Sequence, residues 1–173
     1  MEVTVRFRLE PSSEQSRLLE ATTVEYIAAA GRVAGAMRDA GKLLKLSSKD
    51  VEAPLPSALK NQAIRDARSV FRVSGKRPRF PVLRKPVAIW NNQNHRVRED
   101  AVEIPVWCGG RPKRIRIIAS LSDYQRERLR HRHGTLRITK KNGKWIAKLC
   151  VTVPESEEPS GNGVMGVDLG LKV

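Results

Sequence analysis

The apolar side chains of this chain recur with two different periods, and a long helical stretch separates one strand from all the others. Val3, Val5, Phe7 and Leu9 alternate with Thr4, Arg6, Arg8 and Glu10, the period of a half-buried strand, and Pro11 closes it. A helical pattern follows at once. Ser12-x-x-Gln15 has the form of a capping box, which satisfies the backbone N–H groups left free at a helix start. Leu18, Leu19, Val24, Ile27, Ala28, Val33, Ala34 and Met37 then keep helical spacing up to Gly41. Gly31 and Gly35 lie four apart on this helix, a spacing that predicts close approach by another helix. Residues 42–56, with Ser47-Ser48, Pro54 and Pro56, read as a connection holding a short helical piece. A second helix starts near Ser57 and runs through Leu59, Ala63, Ala67, Val70 and Phe71 toward Ser74-Gly75.

Beyond residue 75 the texture becomes β-branched and aromatic in short runs. Segments 115–118, 135–139 and 144–153 read as strands, Gly109-Gly110 and Lys141-Asn-Gly-Lys144 as turns, and Leu121 to His131 as the helical exception. The first strand has partners only in this later region. The expected fold is therefore α+β, an antiparallel β-barrel into which a helical pair is inserted. Pro154 to Gly163 is acidic and rich in Pro and Gly, which marks a linker. Val164 to Val173 then reads as an apolar strand carrying one carboxylate, Asp168.

Charge narrows the function. The formal net charge is +15, and residues 76–148 hold 20 Lys/Arg against 5 Asp/Glu while the flanking segments nearly balance. So dense a positive stretch repels itself, and a polyanion that sheds counterions on binding is the usual reason for one. An anionic membrane surface is the rival, ranked lower because the basic stretch reads as strands and turns and not as an amphipathic helix. No run of 18 apolar residues exists and the N-terminus lacks a signal-peptide pattern, so a cytoplasmic location is expected. Cys108 and Cys150 stand far apart without a CxxC pair, which argues for two buried thiols and against zinc or a disulfide framework.

The phrase Gly166-Val-Asp-Leu-Gly is shared by actin-like and heat-shock-chaperone ATPases and by RNase H-like (RuvC) nucleases. The upstream segments favour the nucleases. In order along the chain, Val5-Arg-Phe-Arg-Leu-Glu-Pro-Ser-Ser-Glu-Gln15, Leu55-Pro-Ser-Ala-Leu-Lys-Asn-Gln-Ala-Ile-Arg-Asp-Ala67, Gly75-Lys-Arg-Pro-Arg-Phe80, Asn91-Asn92 and Lys140-Lys-Asn-Gly-Lys-Trp145 precede it. In this order and spacing the chain resembles TnpB (OrfB) proteins, the transposon-encoded RNA-guided DNA nucleases, whose layout compact type V CRISPR effectors share. The resemblance implies a wedge-like β-barrel from residues 1–10 and 76–155, a helical recognition insert over 11–75, a linker over 156–163 and the start of a RuvC domain at 164–173. It implies guide RNA and target double-stranded DNA as partners, and Asp168 as a catalytic ligand of Mg²⁺ in a complete nuclease domain. The family's other two acidic ligands and its four-cysteine zinc ribbon fall downstream of Val173, so this chain alone is expected not to cut DNA.

The resemblance also sets Ser57 and Asn61 of the second helix, with Asn91 and Asn92 of an early barrel strand, against the duplex motif flanking the target. An Asn amide suits this, since it pairs with both N7 and N6 of adenine. Arg77, Arg79, Arg84 and Lys85 are read as phosphate contacts, Arg being the preferred fork for phosphate. Phe80, Trp107 and Trp145 are read as core. His131 and His133 lack a carboxylate or thiol at ligand spacing and read as a basic helix end. The alternative function is a catalytically inactive RNA- or DNA-binding protein, such as a repressor, derived from the same family.

Overall fold

The first strand of the chain is the central strand of the sheet. In the computed structural model, which describes residues 1–74 and 82–154, β1 (Glu2–Glu10) is followed by α1 (Ser13–Asp39), a 3-10 turn (Ser48–Asp50) and α2 (Ser57–Ser74). Then come β2 (Val87–Trp90), β3 (Arg96–Arg98), β4 (Ala101–Cys108), β5 (Arg111–Ser120), α3 (Asp123–Arg128), β6 (Arg132–Lys141) and β7 (Lys144–Thr152). The seven strands form one antiparallel sheet in the order β2-β6-β7-β1-β5-β4-β3, curled into a half-barrel, and with its three helices the chain is α+β.

Alternation decides which face is buried. Val5, Phe7 and Leu9 of β1 share the inner face with Ala147, Leu149 and Val151 of β7, Leu136 and Ile138 of β6, Ile115 and Ile117 of β5, and Ile104 and Val106 of β4. Helix α1 lies over the open side, packing on β2, β4 and α2 through Leu19, Tyr26, Ala30, Val33 and Met37. Its start is the expected capping box: Ser12 Oγ accepts the Gln15 N–H at 3.2 Å, and Gln15 Oε1 accepts the Ser12 N–H at 3.0 Å. Across the open side Trp90 of β2 donates its indole N–H to the Pro105 carbonyl of β4 at 3.1 Å, joining strands that are not neighbours in the sheet.

The two hairpins follow from turn chemistry. Gly109 and Gly110 (φ +59° and +78°) join β4 to β5, and Asn142 and Gly143 (φ 49° and 73°) join β6 to β7. Two consecutive left-handed residues give the turn that matches the twist of paired strands. The expected helix contact at Gly31 and Gly35 is not made among the described residues. A side chain at either position would meet nothing within 4 Å, so α1 approaches its partners through other residues. His133 also departs from expectation: α3 ends at Arg128, and His133 belongs to β6, with Nε2 2.7 Å from the Leu129 carbonyl. Trp145 is core, as expected, its indole N–H donating to Ser16 Oγ at 2.8 Å, whereas Trp107 is half-buried. Phe80, the linker 156–163 and the segment 164–173 lie outside the described residues.

Candidate nucleic-acid interface

Helix α2 begins where Pro56, unable to donate a backbone hydrogen bond itself, offers its carbonyl to the N–H groups of Leu59 and Lys60 at 2.9 and 3.1 Å. Leu59, Ala63, Ile64 and Ala67 are buried, so helical periodicity turns Asn61 and Arg65 outward, with Gln62 at the margin. Opposite them stands the turn after β2. Asn91 Oδ1 accepts the Gln93 N–H at 3.2 Å and also an Asn94 side-chain N–H, while the Asn91 carbonyl meets His95 Nδ1 at 2.8 Å. Asn61, Gln62 and Arg65 of α2 with Asn91, Gln93 and Asn94 of the turn line a polar cleft of about 390 Å³.

The fold thus brings two of the expected readout residues together, Asn61 and Asn91, from segments 30 positions apart. It gives them different tasks. Asn61 is exposed, whereas the Asn91 side-chain oxygen is occupied in holding the turn. Both asparagines of the Asn91-Asn92 pair follow the end of β2 at Trp90 and so lie in a turn, because Asn91 takes the chain out of the ladder by bonding its own backbone two residues on. Asn92 and Ser57 are exposed and are not part of the cleft wall. Arg84 and Lys85 are exposed just before β2 and form no ion pair among the described residues. Arg77, Arg79 and Asp168 lie outside the described residues.

A second, larger cleft of about 640 Å³ shares Gln62 with the first. It runs over the outer face of the sheet, where Thr4, Arg137 and Lys148 face Gln62 and Asp66 of α2. Asp66 is held from behind: Tyr26 of α1 donates its hydroxyl to Oδ2 at 2.7 Å, and Gln62 Nε2 donates to Oδ1 at 3.2 Å. Burial, and then the Asp66 charge, push the Tyr26 hydroxyl well above its usual range, so it remains a donor at any working pH. Sequence reasoning missed Gln62, Arg65, Asp66, Arg137, Lys148 and Arg6 as members of one surface. The polar half of the β1 alternation had marked Arg6 as outward, but which cations stand beside it depends on strand pairing.

Under the turn lies His95, 3% exposed, with Nε2 buried and without a hydrogen-bond partner among the described residues. Its ring stacks on His133 at 6.2 Å between centroids. Burial brings its pKa down from 6.5 to about 4, the Asn91 carbonyl opposing and the His133 and Arg114 charges assisting. Sequence gave no sign of this histidine.

No protein-family model matches the chain, and no curated protein matches it significantly. Among the described residues no helix is long and apolar enough to cross a membrane, and no three His, Cys, Asp or Glu side chains are grouped to hold a metal ion. Cys108 and Cys150 are free thiols, both half-buried.

Proposed function

We propose that this chain is the nucleic-acid-binding N-terminal portion of an RNA-guided DNA endonuclease of the TnpB type, holding guide RNA and the duplex that flanks the target. The observation that carries the reading is the cleft in which the amides of α2 face those of the turn after β2. Amides displayed from two sides suit the edges of base pairs, and each bidentate amide contact is worth about 1–3 kcal/mol of discrimination. On this reading α1 and α2 are the recognition insert, the half-barrel is the wedge, and Asp168 is the first Mg²⁺ ligand of the complete nuclease. Cations around the cleft supply affinity without sequence preference.

The test uses the chain with guide RNA and a complete nuclease domain, selecting from duplexes randomised beside the target. Asn61→Ala is expected to relax preference at one or two flanking base pairs while RNA affinity is kept, and Asn92→Ala to do so more weakly. Arg84→Gln is expected to weaken all sequences alike and to lower the salt slope by about one. Full flanking preference in the Asn61 and Asn92 variants would remove the readout role. Binding and preference without any Mg²⁺-dependent cleavage that Asp168→Ala abolishes would leave the repressor reading in its place.

A further inference from the structure

We infer that Arg6, Lys148 and Arg137 form a phosphate-binding rung that leads one strand of RNA across β1, β7 and β6 into the cleft beneath α2. The inference rests on the nucleic-acid reading above and names where the backbone runs. Strand register carries it. Arg6 is paired directly with Lys148, and Lys148 directly with Arg137, so the three side chains leave the same outer face in one row. Adjacent strands are about 4.8 Å apart, which puts three cations within about 10 Å of sheet. Like charges directly opposite one another destabilise a sheet.

A few cations of the described protein are matched by a carboxylate. Arg126 pairs with Asp100, Lys140 with Glu20 at 3.3 Å and Arg32 with Glu25 at 2.6 Å. Among the described residues Arg6, Lys148 and Arg137 have no ion pair, and all three are exposed. What sets these three apart from other unpaired cations is direct register across three strands. Such a row calls for an anion, and a chain of phosphates is the anion whose charges come in a row.

Shape and chemistry choose the occupant. Arg137 and Lys148 line the 640 Å³ cleft, which is walled by Gln62 and Asp66 of α2 on one side. Among the described residues its lining has no aromatic side chain on which bases would stack, and its cations and hydroxyls suit the backbone. The Asp66 carboxylate beside the rung only accepts hydrogen bonds, and the Thr4 and Thr135 hydroxyls accept as well as donate. A ribose 2′-hydroxyl donates to such groups, which deoxyribose cannot do. Through Gln62, common to both clefts, the strand passes on toward Asn61.

The experiment is a salt titration of binding by the full chain to a structured RNA with a single-stranded tail, with the matching DNA tail as a second arm. Wild type is compared with Arg6→Gln/Lys148→Gln/Arg137→Gln, with Lys148→Gln alone, and with Arg96→Gln/Arg116→Gln on another part of the sheet. The rung variant is expected to lose tenfold or more in RNA affinity and about two from the slope of log affinity against log salt, at about 0.7 per single-strand phosphate. Its thermal midpoint should stay level or rise, since repulsion is relieved. Lys148→Gln should lose about 0.7 of slope, the Arg96/Arg116 variant little, and the DNA tail should bind more weakly than RNA. Wild type that binds no RNA would sink the nucleic-acid reading and this inference together. Wild type that binds while the rung variant keeps its slope, or loses affinity only as it unfolds, would overturn the rung alone. Equal affinity for the two tails would overturn the RNA assignment.

Discussion

On β3, β4 and β5 one row of the outer face reads Arg96, Glu103, Arg116; on β6, β7 and β1 a row reads Arg137, Lys148, Arg6. The two rows have the same geometry, three outward side chains in direct cross-strand register, and differ in the sign of the middle one. The first is self-neutralising, with cation beside anion beside cation, and Glu99 adds a further carboxylate 3.4 Å from Arg116. The second has no ion pair among the described residues. Cross-strand charge pairing favours folding in the one row and opposes it in the other.

The sharpest way to break the comparison is to part the two halves. Trp90 links β2, on the edge of the basic half, to Pro105 in the neutralised half. Trp90→Ala is expected to cost about 3–5 kcal/mol, seen as a fall in the denaturant midpoint with unchanged steepness if the sheet unfolds as one unit. Two separate transitions would mean that the halves are independently stable.

Acid should act at the junction between them. His95 follows β2 and precedes β3, with His133 of β6 and Arg114 of β5 nearby. The unfolded chain takes up a proton below about pH 6.5 that the folded chain refuses until about 4. Stability is therefore whole above pH 6.5, declines as the pH falls and levels off below about 4, a loss of about 3 kcal/mol at 1.36 kcal/mol per unit. Urea midpoints across this range measure it. His95→Phe should flatten the decline, and an equally steep decline in that variant would place the acid sensitivity elsewhere.

The smallest effects come from exchanging the middle residues. Lys148→Glu gives the basic row the pattern of the other and is expected to raise stability by about 0.2–1 kcal/mol for each new opposite-charge pair while RNA binding falls. Glu103→Lys should do the reverse, lowering stability by a similar amount and strengthening nonspecific RNA binding. Paired thermal melts and filter-binding curves test both. A Lys148→Glu chain that is less stable than wild type would show that the row is compensated by contacts within the protein.

Much of this was legible in the residues. The β1 alternation, the Ser12–Gln15 capping box and the Asn142-Gly143 turn are local signals, and local chemistry decides them. Strand β4 was not legible, because Pro105 argues against a strand. It is tolerated because β3 covers only Ala101 to Glu103, leaving β4 without a neighbour on that side among the described residues beyond Glu103. Strand β2 is four residues bounded by Pro86 and Asn91, too short to show a period. Asn61 and Asn91 were named from sequence, yet the division between them, one exposed and one tied into its turn, rests on hydrogen bonds that no spacing reveals. The charged row was hidden for a deeper reason. Its members come from residues 6, 137 and 148, and only register places them side by side.

The central position of β1 has a consequence for how the protein is made. Leu9 pairs with Trp145 and Glu2 with Thr152, so the strand synthesised first gains its longest partner only when β7 has left the ribosome. At roughly 5–20 residues per second that is a wait of about 7–30 s, far longer than strand pairing itself takes. Until β5 covers its end at Arg8–Glu10 both edges of this apolar strand are bare, and until β7 follows one edge stays open to pairing with other nascent chains. Arg6 and Arg8, alternating with Phe7 and Leu9, put like charges on any two such strands, and that repulsion disfavours their pairing. Chains carrying Arg6→Val and Arg8→Val would then be lost to aggregation during synthesis, before there is any sheet for those substitutions to stabilise.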